Sequence, residues 1–208
     1  MKRGAVERER SAFLNVPYDR RFENLYLAFI AGLSGFGLVP RATIEIASSS
    51  RRLERIAELI RSCRYSFHDL SRVELDRAPP PTPRFNMPFE LGLAVSHAMS
   101  RTAGHEWFVF ERQPNRLKKS LSDLDGTDPF IHDGDADGVI RALANALSRT
   151  HDRPKLSELR EIFNDLKKAS RRIKRDLHGG SLFEAAPFKD LVIFAAIFAK
   201  QHIASLKN

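Results

Sequence analysis

Five short apolar runs, each followed by a stretch with helical spacing, constrain this chain more than anything else in it. The runs occupy residues 11–16, 38–46, 63–67, 107–110 and 129–131. After the first, Phe22, Leu25, Tyr26, Phe29, Ile30 and Leu33 recur at helical spacing, and Gly35 and Gly37 end the pattern. After the second, Ser48-Ser49-Ser50 can cap a helix carrying Leu53, Ile56, Ala57, Leu59 and Ile60 on one stripe. Helices are expected at about residues 88–100 and 117–124, and over 135–148, where Val139, Ile140, Leu143, Ala144 and Leu147 face one way. Strand and helix alternating over about 150 residues predict a parallel sheet covered on both faces. Right-handed crossovers make that a flavodoxin-like, doubly wound, mainly parallel five-stranded α/β fold, spanning residues 11–150.

Beyond residue 150 the pattern changes, and residues 151–208 read as a C-terminal α-helical pair. Leu156, Leu159, Ile162, Phe163 and Leu166 mark the first helix, which ends in a basic run from Lys167 to Arg175. The second, from about Pro187, carries Phe188, Leu191, Val192, Phe194, Ala195, Ile197 and Phe198 around most of its circumference. Such a helix needs burial on several sides, against the sheet domain or in a homo-oligomer interface. The longest apolar run, residues 191–199, has nine residues, short of the roughly 20 that span a bilayer. The first ten residues are charged and lack the apolar core of a signal peptide, so a cytoplasmic chain without membrane association is expected.

Cys63 is the single cysteine, which excludes an intramolecular disulfide and any cysteine-based zinc cluster. The seven histidines are dispersed, and neither a metal nor a cofactor is expected. The net charge of +8 admits an anionic nucleotide, an acidic partner or a nucleic acid. Acids are interspersed with the bases, so a solvated helix face is preferred for 167–175 and nucleic-acid binding through it is the lesser alternative. No GxGxxG, Walker A or HExxH motif occurs.

What remains is carboxylate chemistry at the carboxyl edge of the sheet, where ligands bind in such folds. The stretch from Pro83 to Ala94 joins a proline-rich loop to an apolar helix and carries one acid, Glu90. Pro88 suits a first helical turn, which would place Glu90 where the helix dipole favours its carboxylate and bury the helix around it. Asp69 ends the third strand, flanked by His68 and Ser71. A carboxylate can attack a sugar anomeric carbon or stabilise an oxocarbenium-like transition state. Tyr18 and Asn86 could orient a ribose or base, and Arg84 or Arg72 a phosphate. Against these roles stand a capping or ion-paired Glu90, a strand-end turn at Asp69, and turn geometry at Tyr18 and Asn86. The prolines at 79–83 form a stiff connector or a wall of the site.

The segment Phe89-Glu90-Leu91-Gly92-Leu93-Ala94 resembles the glutamate-bearing helix of nucleoside 2′-deoxyribosyltransferases and related N-glycoside hydrolases. Asn15-Val16-Pro17-Tyr18-Asp19 is similar to that family's first substrate loop, and residues 65–71 to its third strand. Toll–interleukin receptor domains share the layout and also place a glutamate for NAD cleavage. The resemblance covers residues 11–148. It implies catalysis by Glu90 and Asp69, with Asn15, Pro17, Tyr18, Asp19, His68, Ser71, Arg84 and Asn86 against a nucleotide or nucleoside ligand. By analogy it also implies a role in bacterial defence. One departure is informative: Arg84-Phe85-Asn86-Met87-Pro88 stands where the transferases carry an aspartate and a small turn, which suits a phosphorylated ligand. A non-catalytic nucleotide-sensing or oligomerising module of the same fold is the alternative.

Overall fold

A computed structural model describes residues 2–46, 51–72, 75–76, 79–100, 104–124, 126–149, 153–177 and 180–203. Helix α1 (Lys2–Arg10) leads into β1 (Ser11–Asn15), α2 (Glu23–Gly35), β2 (Val39–Arg41), α3 (Arg52–Arg61) and β3 (Tyr65–Asp69). The chain continues through β4 (Leu75–Asp76), β5 (Thr82–Pro83), α4 (Asn86–Ala98), β6 (Glu106–Glu111), α5 (Arg116–Ser120), β7 (Phe130–Ile131) and α6 (Ala136–Ala146). Helices α7 (Leu156–Asp176) and α8 (Ala185–His202) complete it.

Five strands form one sheet in the order β2-β1-β3-β6-β7, and every neighbouring pair is parallel. This is the flavodoxin-like layout, with the order reversing between β1 and β3. Both faces are covered, so β1 is buried at every position. Its alternation sorts the side chains: Ala12 and Leu14 join the core shared with α2 and α6, whereas Phe13 packs with Ile56, Leu59, Ile60, Cys63 and Ala94 of the α3–α4 side.

Helix α2 is buried from Leu25 to Gly35 without a polar stripe. A helix apolar all round must be covered all round. The sheet and α6 cover part of it, and α7 and α8 cover the rest, through Leu159, Ile162, Leu166, Phe188, Leu191, Ala195 and Ala199. The C-terminal pair thus completes the main core. Gly35 permits the approach, since a Cβ there would lie 2.3 Å from Leu159 Cδ2.

Four local expectations are corrected. The second strand stops at Arg41 and is followed by a 3-10 turn at Thr43–Glu45, because the Glu45 carboxylate accepts the Ala42 N–H (2.8 Å) and the Arg41 guanidinium (3.1 Å). The proline stretch includes a short antiparallel ribbon, β4 with β5. Helix α4 is not largely buried: Met87, Leu91 and Ala94 face inward, while Phe89 (54%) and Met99 (80%) are exposed. Because α4 starts at Asn86, Pro88 still falls in the first turn but Glu90 lies beyond it, so the dipole gives its carboxylate little help. The serine cap at 48–50 lies outside the described residues. Among those residues, no helix is long and apolar enough to cross a membrane.

Candidate functional site

At the carboxyl edge of β1 and β3, where the strand order reverses, lies a cleft of about 990 Å³. Its floor is Asn15 to Tyr18 after β1, with Thr43 beside them. One wall is α3, through Arg52, Leu53 and Ile56. Asn86, Met87, Phe89 and Glu90 of α4 form another. Pro79, Pro80, Thr82, Pro83 and Arg84 close the third side, so the proline stretch is a wall.

Among the described residues, Glu90 is the one acid on this lining. Burial pushes its carboxyl up to about 7, against a partial counter-pull from Arg52. Among the described residues, no hydrogen bond or ion pair reaches it. The arginines that could have paired with Glu90, Arg72 and Arg84, lie 3.0 and 3.7 Å from Asp19 Oδ2. Asp19 Oδ1 accepts the N–H groups of Arg21 (2.9 Å) and Phe22 (3.2 Å) at the entry to α2. Asp19 is therefore a clamp between the loop after β1 and the arginine loops rather than part of the lining.

Tyr18 lies 3.3 Å from Thr43 Oγ1 through its hydroxyl. Desolvation raises its phenol, and the nearby Glu90 charge adds to that, so it stays a neutral donor at physiological pH. Asn15 Nδ2 donates to the Met87 carbonyl (2.9 Å) and lies 2.9 Å from His68 Nδ1. His68 is fully buried behind it, and desolvation drops its imidazole to about 3.

The structure separates the pair His68 and Asp69. Adjacent strand residues face opposite ways. His68 sits on the α3–α4 side beside Phe13, and Asp69 on the other. Asp69 is fully buried; Oδ1 accepts the Ser71 N–H (2.9 Å) and hydroxyl (2.5 Å), and Oδ2 lies 3.0 Å from His132 Nε2. Glu111, also buried, stands nearby with Arg116 at 3.7 Å and its carboxyl pushed up to about 7 by burial. None of Asp69, Ser71, His132 and Glu111 lines the cleft. Of the expected site residues, Asn15, Pro17, Tyr18, Arg84, Asn86 and Glu90 come together there; Asp19, His68, Asp69 and Ser71 do not.

Sequence reasoning missed Thr43, Arg52, Leu53 and Ile56. Arg52 follows Arg51 at the start of an arginine-rich helix, and nothing local distinguishes it from its neighbours. Among the described residues, no group of three or more His, Cys, Asp or Glu side chains is arranged to hold a metal ion. No protein-family model, curated protein or solved structure matches the chain.

Proposed function

We propose that this protein cleaves the N-glycosidic bond of a nucleotide-like ligand, NAD or a nucleoside monophosphate, with Glu90 at the reacting carbon. The observation that carries this reading is an acid with a raised pKa that, among the described residues, makes no hydrogen bond or ion pair and opens into a nucleotide-sized cleft at the sheet's switch point. As the C1′–N bond breaks, its electron pair leaves with the base and positive charge develops at C1′. The Glu90 carboxylate offsets that charge by its field or by bonding to C1′. Water, or an acceptor hydroxyl, then takes the sugar carbon and releases a proton. Among the described residues, Arg52 and Arg84 are the cationic groups of the lining and suit a phosphate. The test is release of free base from NAD and a panel of nucleosides and nucleoside monophosphates, followed by chromatography. Release that Glu90→Gln abolishes supports the reading. Wild-type protein that releases base from none of them refutes it.

A second reading, a nucleotide sensor that self-associates, draws on a separate observation. Helix α8 leaves Ile193 (56%), Phe194 (38%) and Ile197 (44%) exposed beside an apolar groove against α7. Lys168 and Arg172 with Asp165, Asp176 and Asp190 give the groove a rim of both signs. A patch that pairs with its own copy needs such a mixed rim, since a single sign would repel itself. In this reading a second copy docks α8 to α8, and ligand binding without base release is the distinguishing result. The basic run on α7 is partly neutralised by Asp165 with Lys168 and by Glu23 with Lys174, which favours a solvated face over a nucleic-acid surface.

A further inference from the structure

We infer that Asn15 is a fixed hydrogen-bond acceptor in the cleft, and that His68 is the positioning residue that fixes it. The Met87 carbonyl can only accept a hydrogen bond. The Asn15 atom 2.9 Å from it must therefore be the amide nitrogen, which settles the orientation of the side chain. The same nitrogen lies 2.9 Å from His68 Nδ1. An amide nitrogen has two protons, and these two contacts use both. His68 Nδ1 must then present a lone pair, so the imidazole proton sits on Nε2. A neutral ring follows from its full burial, and the carboxylate nearest in sequence, Asp69, faces away across the sheet toward His132. Among the described residues, His68 Nε2 has no hydrogen-bond partner. The ring therefore has one polar task, holding the amide of Asn15.

With both protons of Nδ2 committed, Oδ1 is the only polar atom of the Asn15 side chain left for a ligand. No described donor occupies it, and Asn15 lines the cleft. Whatever binds against it must offer a proton: a sugar hydroxyl or a base N–H, not a phosphate oxygen or a carbonyl. The cleft lining therefore carries both acceptors and donors. Asn15 Oδ1 and the Glu90 carboxylate accept, whereas Arg52 and Arg84 are donors suited to an anion. A ligand that offers a hydroxyl or N–H donor and carries a phosphate satisfies both kinds of group. This specificity rests on the reading of the cleft as the ligand site. The tautomer of His68 does not.

The test therefore has two arms. Long-range ¹H–¹⁵N spectra of the full chain should show His68 protonated on Nε2, with Nδ1 at an acceptor shift, unchanged between pH 8 and pH 5. A proton on Nδ1, or titration near the usual pH 6.5, overturns the inference whether or not any ligand binds. The second arm compares His68→Asn, which keeps an acceptor at the δ position, with His68→Leu, which keeps none. Affinity is read by calorimetric titration with NAD and with adenosine 5′-monophosphate. His68→Asn should bind within about threefold of wild type, and His68→Leu about tenfold more weakly with the fold intact by amide fingerprint. Equal affinities in the two variants overturn the positioning role. Wild-type protein that binds neither probe refutes the nucleotide reading and leaves the spectra to decide the orientation of Asn15.

Discussion

Replacing Glu90 by glutamine should stabilise the protein at neutral and alkaline pH while abolishing base release. Burial holds the Glu90 carboxyl at about 7 against an ordinary value of 4.5, so ionising it costs more in the folded chain than in the unfolded one. The native state therefore binds more protons than the unfolded state between these values, and this group's contribution to stability falls as pH rises through them. Integrated, the difference is about 3 kcal/mol at pH 8, about 2 at pH 6 and below about 0.5 at pH 4.5. Glutamine, neutral throughout, removes that cost. For a chain of this size, where each kcal/mol moves the midpoint by roughly 2–4 °C, Glu90→Gln should raise Tm by about 6–12 °C at pH 8 and barely change it at pH 4.5. The assay is thermal unfolding of both proteins across pH 4.5–8. Taking the difference cancels Glu111, whose burial gives the same trend, and His68, whose lowered pKa gives the opposite one below about pH 6.5. A Tm difference independent of pH would refute the reasoning, because it would mean the carboxylate is solvated in the native state.

The same pKa sets a rate profile: if ionised Glu90 acts at the sugar carbon, base release should rise through about pH 7 and level off above it, and a profile flat from pH 5 to 8 would exclude that role. Gly35→Ala should cost about 1–3 kcal/mol in urea unfolding, since its Cβ would lie 2.3 Å from Leu159 Cδ2 and press α7 away from α2. Asp69→Asn should cost about 2–4 kcal/mol, because it leaves His132 and the Ser71 turn without the carboxylate that joins them, yet should leave nucleotide affinity within about twofold of wild type. In light scattering over a concentration series, Ile197→Lys should shift any self-associated species to monomer; wild-type protein that stays monomeric throughout rules out the α8 interface.

Most of the fold was legible because its signals are periodic. The apolar runs of β1, β3, β6 and β7 and the stripe of Ile56, Leu59 and Ile60 on α3 follow directly from which face is buried. The cover over α2 was also legible. Leu27, Ala28 and Ala31 fill the side opposite Phe22, Tyr26 and Phe29, and a helix apolar on both sides demands a layer on both sides. What sequence could not carry was the end of β2. A single carboxylate, Glu45, bonding back to Ala42 outweighs the strand propensity of Thr43, Ile44 and Ile46. In α4, apolar composition overstated burial, since composition does not say how many neighbours a helix has. Arg52 and Thr43 reach the cleft only because tertiary structure brings the α3 and β2 ends beside β1.

The division at His68 and Asp69 shows why the site is smaller than the polar edge of the sheet. Both residues end β3, both are buried, and their proximity in sequence suggests one constellation. The pleat separates them. On one face, His68 lies against Asn15 beneath the cleft; on the other, Asp69 joins His132 and the Ser71 turn in a buried polar cluster beside Glu111. Asp69 does not line the cleft, whereas removing the acceptor of His68 leaves the Met87 carbonyl as the one described partner of the Asn15 amide. A one-residue shift in the register of β3 would exchange these faces, bringing a carboxylate beneath the cleft and an imidazole into the opposite core. The parallel pairing of His68 with Asn15 and of Asp69 with Phe110 fixes that register, and with it which polar group stands behind the site.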